Sequence, residues 1–576
     1  MITRFFPICK DLLTYKRSTL FSDFISGLSI AVIVIPQGLA YSMIAGLPPI
    51  YGLYAALIPQ FIHGIMGTSR HPAVGPVALD SLVVAIALGA LSLSGVEQTI
   101  NAAIFLAAIV GVLQILMGMF RMGVLANYLS RPVISGFTSA AAIIIGLSQV
   151  KHILGLHIES SNQIQKTLIS VVQNLNETNL ITLLVGLAAM SLILITKKHL
   201  PKFPSALLVS IFGVLLIWST RWDLQGVEIV GHIPAGLPEI GLAYLSPDLI
   251  REMLPFALAL AVIGYVEIIS ITKELEEKEE KYSLKPNKEL MALGAANLVG
   301  SFFQSYPVSA SFSRSAVKFQ SGAKTGMAAI ISALIVGLTL LFFTSLFFYL
   351  PIAVLAGIIM VAVVRLINIQ YAIDLYHTRR DEFFVLLITC LLTLFIGITE
   401  GILIGALLSL LLMVIRTSKP HYAVLARVSG TNYYKNISRF ETDTEVDDDV
   451  LIIRFDAQLF FGNREYFRKI ITEEAIKKPN LKGFILVARG ITYIDSSGLS
   501  TLSAMVKWFQ EKGILFMVAG AIGPARDVLR QSKLTDLIQE KNMFAKTADA
   551  VDYYKGKVVP SDVQKKMQVK QIVNTL

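Results

Sequence analysis

Arg314 stands in an apolar stretch with Ser311, Ser313 and Ser315 around it. A guanidinium inside a bilayer costs about 3 kcal/mol or more unless it faces protein or water. Its presence therefore marks either a site or a side chain snorkelling to the surface beside Lys318. Hydroxyls and backbone N–H groups around one fixed positive charge suit a small oxyanion. A second segment of the same kind is His71-Pro72-Ala73-Val74-Gly75-Pro76-Val77-Ala78. Pro72, Gly75 and Pro76 here, and Pro307 in Tyr306-Pro307-Val308-Ser309-Ala310-Ser311-Phe312-Ser313-Arg314, forbid a full-length helix from the membrane edge, so each reads as an extended stretch followed by a short helix beginning inside the membrane. Helix N-termini carry partial positive charge and unpaired N–H groups, and both attract anions. The candidate binding residues are Gly75, Pro76, Val77 and Ala78 on one side and Ser311, Phe312, Ser313 and Arg314 on the other.

Other polar residues lie too deep for loops. Glu267, within Ala261-Val262-Ile263-Gly264-Tyr265-Val266-Glu267-Ile268-Ile269-Ser270, can carry a proton with an anion, bind sodium when ionised, or serve as a structural partner of Arg314. Asp80 either lines the same cavity and joins the ion coupling or caps the backbone where its half-helix starts. Gln37 and Tyr41 follow Pro36 one helical turn apart, so both can face one cavity, with packing as the alternative for the tyrosine. His63 reads as facing helix neighbours. Cys9 and Cys390 have no partner at metal-ligand or disulfide-framework spacing. No nucleophile–base–orienter set is found, which argues against an enzyme, and no Gly-rich phosphate loop, which argues against ATP-driven transport. The expectation is no metal and no cofactor beyond a coupling proton or sodium.

The elements that must position these residues follow from composition. The chain has 576 residues, of which 54% are hydrophobic and 16% charged, with a mean hydropathy of +0.65. Soluble domains carry about 25% charged residues, so one soluble globule is excluded, as are collagen, coiled coil, disorder and a disulfide scaffold. Charge is uneven: about 12% of residues 1–420 against about 26% of 421–576. The expected organisation is a cytoplasmic segment (1–24), a transmembrane domain (25–420), a linker (421–445), a soluble domain (446–556) and a tail (557–576).

Apolar runs at 25–45, 50–66, 101–119, 132–149, 179–196, 203–219, 252–272, 288–304, 325–348, 351–366, 382–398 and 400–416, with the two broken segments, give about fourteen crossings. An even number places both termini on one side. About 22 Lys and Arg fall on the N-terminal side of the membrane and about four on the other, which puts both termini in the cytoplasm. The net charge of +10 follows from this topology and is no sign of nucleic-acid binding. Residues 1–24 are too polar for a signal peptide and read as a signal-anchor-like start. The charged run from Lys273 to Lys281 reads as a solvated inner loop. Each broken segment is third in a set of seven, and seven is odd, so homologous halves insert with opposite orientation. Interrupted helices meeting at the midplane of such inverted repeats are a transporter architecture. Residue identity between 73–81 and 308–316 is slight, so the repeat rests on pattern.

In the tail, strand-like runs at 450–455, 483–488 and 514–519 alternate with helical patterns at 463–478, 497–511 and 523–533, an α/β arrangement. In Tyr493-Ile494-Asp495-Ser496-Ser497-Gly498-Leu499, Asp or Ser can cap the next helix.

With these residues in view, the chain resembles the sulfate permease (SulP) family of anion transporters over nearly its whole length. The resemblance is carried by Ile35-Pro36-Gln37-Gly38-Leu39-Ala40-Tyr41, by Ala45-Gly46-Leu47-Pro48-Pro49 and by Pro49-Ile50-Tyr51-Gly52-Leu53-Tyr54-Ala55-Ala56. It continues through Gly67-Thr68-Ser69-Arg70, Val74-Gly75-Pro76-Val77-Ala78, Asn287 with Glu289-Leu290, Asn297-Leu298-Val299-Gly300-Ser301-Phe302-Phe303 and Ser311-Phe312-Ser313-Arg314-Ser315. His63 departs from the usual Tyr or Ile. The resemblance implies an α-helical polytopic fold of two inverted seven-segment repeats, with a core subdomain moving against a gate subdomain and an anion held between spans three and ten. It places Gln37, Tyr41, Val77, Ser311 and Ser313 around that anion, with Arg314 behind it and a coupling carboxylate at Glu267. Glu rather than Asp tilts the coupling towards protons.

The tail resembles the STAS domain, in whose soluble relatives the serine matching Ser496 is phosphorylated. The expected function is proton-coupled sulfate uptake across the cell membrane (the inner membrane, if bacterial) by a rocking or elevator mechanism. The expected assembly is a homodimer in lipid, with a cytoplasmic regulatory partner for the STAS domain. The rival readings are a bicarbonate or dicarboxylate symporter, an uncoupled exchanger or channel, and a membrane-anchored regulatory protein without transport.

Overall fold

The computed structural model describes residues 6–13, 15–91, 93, 95–122, 130–156, 158, 164–199, 204–241, 247–276, 285–440 and 444–557. The charged run beyond 276 and the tail beyond 557 lie outside them. The chain divides into two compact units, Met1–Ser409 and Leu410–Leu576.

The first unit is helical. Arg17–Ile44, Val96–Met119, Arg131–Leu154, Leu180–His199 and the segment Leu249–Thr272 of helix Pro247–Glu276 are long and apolar enough to cross a bilayer. Ile50–Met66, Ser205–Thr220, Pro286–Ser301, Met327–Phe342 and Ile352–Val363 are shorter. Short helices persist in a bundle because neighbouring protein satisfies the backbone beyond their ends. Pro351, where Ile352–Val363 begins, lies in a bridge with Ile229, and the Ile352 N–H donates to the Glu228 carbonyl at 3.0 Å. The apolar run read over 351–366 is thus a shorter helix with an extended approach. The first membrane-length helix starts at Arg17, eight residues earlier than hydropathy indicates, and buries Asp23.

Packing sorts these helices into two groups. Arg17–Ile44, Ile50–Met66, Val96–Met119, Pro247–Glu276, Pro286–Ser301 and Met327–Phe342 pack on one another. Arg131–Leu154, Leu180–His199, Ser205–Thr220, Ile352–Val363 and Arg380–Phe395 form the second group. Lipid tails are as apolar as leucine, so helices associate through close backbone approach at small residues. A Cβ added at Gly294 would lie 2.8 Å from the Gly111 carbonyl oxygen. Between the first two helices, a Cβ at Gly52 would overlap the Gly38 carbonyl.

The second unit, among the described residues, holds a seven-stranded sheet: β3 (Tyr422–Val428), β4 (Tyr434–Asn436), β5 (Thr444–Glu445), β6 (Val450–Phe455), β7 (Gly483–Val487), β8 (Leu515–Ala519) and β9 (Met543–Phe544). The order is β4-β3-β6-β7-β8-β9, with β5 also on β3. β6 to β9 are parallel, and β3 joins antiparallel. Helices Arg464–Ile476 and Ser496–Glu511 supply the crossovers that parallel strands require. Both sheet faces are buried: Ile453, Phe455, Phe484 and Phe509 on one side, Leu425, Ile485, Met517 and Val551 on the other. This is why β6, β7 and β8 read as continuous apolar runs rather than alternating ones. One expectation is corrected: residues 421–445 are no plain linker, because β3, β4 and β5 lie there. Their half-buried, mixed pattern hides them beside the three central strands.

Candidate anion-binding site

The two interrupted segments meet. β1 (Val74–Gly75) pairs antiparallel with β2 (Ser309–Ala310), Val74 opposite Ala310 and Gly75 opposite Ser309. Each strand is followed by a helix, Ala78–Ala90 after Val77 and Phe312–Gln320 after Ser311. Because the strands are antiparallel, the helices leave in opposite directions, and the crossing lies between their N-termini. Two sets of unpaired N–H groups thus converge, where helix partial charge is greatest.

The second half-helix holds the first segment in place. The Ser311 N–H donates to the Ala73 carbonyl at 3.1 Å, the Ala73 N–H donates to Ser315 Oγ at 2.9 Å, and Lys318 Nζ donates to the Pro72 carbonyl at 3.0 Å. Residues 311, 315 and 318 share one helical face. β2 is held from behind by Asn297, whose Nδ2 donates to the Val308 carbonyl at 3.0 Å and whose Oδ1 accepts the Val308 N–H at 2.8 Å. The same Nδ2 donates to Gln114 Oε1 at 3.0 Å. Asn297→Leu strands both backbone groups of Val308 in a dry interior, at about 1–3 kcal/mol for each unpaired group. Its expected result is a lower thermal unfolding midpoint in detergent together with weaker anion binding. An unchanged midpoint would show that this pairing does not hold β2.

Arg314 is fully buried, and NH1 donates to Gln37 Oε1 at 3.2 Å. Its Nε and NH2 have no hydrogen-bond partner among the described residues. A Cβ added at Gly75, whose φ is +152°, would lie 3.4 Å from NH2. Glycine is favoured there by that backbone angle, while the guanidinium lies at ordinary contact distance. Neither Arg314 nor Lys318 snorkels: both are at most 1% exposed. Ser311 Oγ accepts the Arg314 N–H at 3.5 Å and lies 3.2 Å from Ser313 Oγ. Phe312 and Ser313 are exposed and Val77 is half-buried, so the helix starts face open space rather than packed protein.

Asp80 is 2% exposed, and neither carboxylate oxygen has a partner among the described residues. It therefore does not cap its half-helix, which carries no side-chain cap. Asp80, Glu267 and Arg314 lie within electrostatic reach of one another. Glu267 is next to the Ser309 hydroxyl and leaves Oε2 unpartnered. Tyr41 and Tyr306 are buried around the guanidinium, and the Tyr306 hydroxyl lies 3.2 Å from Ser81 Oγ. The structure thus brings Gln37, Tyr41, Gly75, Asp80, Glu267, Ser309, Ser311, Ser313 and Arg314 into one neighbourhood.

His63 lies apart from this cluster, with Nε2 3.0 Å from Glu289 Oε1. Glu289 Oε2 also accepts the Thr68 and Ser69 N–H groups at 2.8 and 3.2 Å. Asp23 does the same for the loop after the second half-helix, accepting the Lys324 and Thr325 N–H groups at 2.7 and 3.2 Å. Neither acid is given this role by sequence reasoning, Glu289 entering only as part of a family motif. An acidic residue in an otherwise apolar helix near a loop with threonine was the available signal. In the second unit, Asp495 is the helix cap, its Oδ1 accepting the Gly498 N–H at 2.7 Å. Ser496 beside it is exposed.

Comparisons with known proteins agree with this geometry. The profile of the sulfate permease family matches residues 20–389, and that of the STAS domain matches residues 441–550. The chain is 34% identical to sulfate transporter 4.1, chloroplastic, of Arabidopsis thaliana, over 98% of this chain and 84% of that protein. It is 33% identical to high affinity sulfate transporter 1 of Stylosanthes hamata, over 95% and 86%. The solved structure of murine Slc26a9, an anion transporter in the inward-facing state, superposes with a TM-score of 0.86 at 25% identity, covering 96% of this chain and 94% of that one. Crossed half-helices around a buried arginine, a family match over the membrane unit and near full-length relatives lead to one conclusion: the chain belongs to the sulfate permease family of anion transporters and carries a C-terminal STAS domain.

Proposed function

We propose that the protein is a secondary active transporter that takes up sulfate with protons. The anion is held between the N-termini of Ala78–Ala90 and Phe312–Gln320, in contact with Gln37, Tyr41, Gly75 to Ala78 and Ser311 to Ser313, with Arg314 behind it. The observation that carries this reading is the β1–β2 crossing, which aims two helix starts at one place beside a buried guanidinium. Each terminus supplies about half a positive charge, so with Arg314 the total is about +2, which matches a divalent oxyanion. Alternating access is a movement of the helix group carrying the half-helices against the other group. The protein sits in the cell membrane with both termini cytoplasmic, works as a homodimer, and presents the STAS domain, with Ser496 as a modification site, to a cytoplasmic regulator.

The test is uptake of labelled sulfate into proteoliposomes under proton or sodium gradients, with bicarbonate, fumarate, nitrate and chloride as competitors. A proton gradient, acid outside, is expected to drive accumulation, with unlabelled sulfate the strongest competitor. Glu267→Gln is expected to remove much of that proton dependence. Uptake indifferent to pH, with Glu267→Gln as fast as the parent, replaces this reading with a channel or exchanger. Stronger competition by bicarbonate or fumarate replaces the substrate.

A further inference from the structure

We infer that Asp80 and Glu267 each take up one proton with the anion, so that one sulfate enters with two protons and no net charge crosses. This rests on the reading of the protein as a proton-coupled sulfate transporter, and it assigns Asp80 a role of its own. The two acids come from different elements, Asp80 from the first half-helix and Glu267 from Pro247–Glu276. Both face Arg314. The other titratable groups in reach are Tyr41 and Tyr306. Lys318 is turned away, with its ammonium on the Pro72 carbonyl.

Charge balance carries the argument. Two helix termini and Arg314 supply about +2, and two ionised carboxylates cancel it, leaving an empty site near neutral. A divalent anion added to that site would find no net attraction. If both acids are protonated, the site is about +2 and the anion restores neutrality. One proton alone would leave about −1 in the loaded site, buried among apolar helices. Asp80 supports the neutral form by its surroundings: it is buried, and neither oxygen accepts a hydrogen bond from any described residue. A buried charge without donors is poorly tolerated, whereas a neutral acid is far less costly. In the cycle each carboxylate binds a proton from the outer side, sulfate binds, and after the movement both protons and the anion leave to the inner water. Two positive and two negative charges move together, and their sum is zero. The carboxylates then face Arg314 again for the return.

The experiment measures the equilibrium accumulation ratio of labelled sulfate, a quantity independent of transport rate, in proteoliposomes of the full chain with the potential clamped by potassium and valinomycin. One pH unit of gradient, acid outside, multiplies the ratio by about 10 for each coupled proton. The parent protein is expected to reach about 100-fold per pH unit, unchanged when the inside is made 100 mV negative. Asp80→Asn is expected to fall to about 10-fold and to become voltage-sensitive. Its ratio should drop a further ~50-fold at 100 mV, because one net charge now crosses against about 2.3 kcal/mol. Asp80→Asn retaining about 100-fold accumulation without voltage dependence overturns the inference. So does a parent protein that reaches only about 10-fold per pH unit, a measurement that decides the matter even where the variant is inactive. A parent that accumulates no sulfate under a proton gradient overturns the underlying transport reading instead.

Discussion

Arg314→Ala lowers the equilibrium affinity for sulfate by at least about 100-fold and leaves the protein folded. At 4 Å and an effective dielectric of about 20, one unit charge on another is worth about 4 kcal/mol. A fraction of that, about 2.8 kcal/mol, is already 100-fold in affinity. Two effects act in the same direction. The substitution removes the positive charge behind the anion, and it strips Asp80 and Glu267 of their counter-charge, so any ionised acid then repels the ligand. The fold survives because, among the described residues, the guanidinium makes one hydrogen bond, to Gln37. The half-helices are held by other groups, through Ser311, Ser315 and Lys318. Arg314→Lys is expected to recover part of the affinity, since it keeps the charge but loses the planar fork. Isothermal titration on detergent-purified protein, with thermal unfolding as the control, reads both quantities. Unaltered affinity in Arg314→Ala would remove this arginine from the anion site.

What could be read from the residues, and what could not, divides along physical lines. Gly75, Pro76 and Pro307 break helices locally, so the two interruptions were legible without any tertiary knowledge. A single arginine in an apolar run is equally local. The β1–β2 crossing was not legible, because two-residue strands carry no periodicity and their pairing joins positions more than 230 residues apart. By sequence Asp80 suits both lining the cavity and capping its own helix, since a carboxylate at a helix start serves either; its lack of hydrogen bonds to any described residue separates them. Lys318 looked like a surface charge because its partner is a backbone carbonyl in another segment. The roles of Glu289 and Asp23 are hidden for the same reason: their partners include loop N–H groups, which leave no mark on composition. Helix Ile369–Thr378 was absent from the hydropathy reading because half of it is polar, its exposed Ile369, Ile373 and Tyr376 lying on one side. In the sheet, β6 to β8 are evident from continuous apolar runs, whereas β3 to β5 are only partly buried and carry a mixed pattern.

Gly52→Val abolishes measurable sulfate uptake, and the reason is a backbone contact rather than any group in the site. Helices Arg17–Ile44 and Ile50–Met66 cross where Gly38 and Gly52 touch. A Cβ on Gly52 overlaps the Gly38 carbonyl, and a Cβ on Gly38 would in turn lie 2.9 Å from the Gly52 oxygen. A flexible side chain could swing aside, but these obstacles are main chain inside regular helices, so the helix axes must separate. Overpacking of this kind costs about 1–3 kcal/mol, and more where backbone must shift. The displacement is transmitted directly, because Gln37 precedes Gly38 in the chain and Tyr41 lies one turn further on. A shift of about 1 Å at a binding residue can cost about 100-fold in rate, and here Gln37 also carries the contact to Arg314. The expected result is uptake reduced by more than about 100-fold even in the fraction of protein that remains monodisperse in detergent. Gly337→Ala is the matched comparison in the same unit: its added Cβ meets only Leu57 Cδ1, at an ordinary 3.4 Å. It should keep uptake within about twofold and stability within about 0.5 kcal/mol. If Gly52→Val transports as well as Gly337→Ala, the first two helices do not meet at these glycines, and Gln37 owes its place to something else.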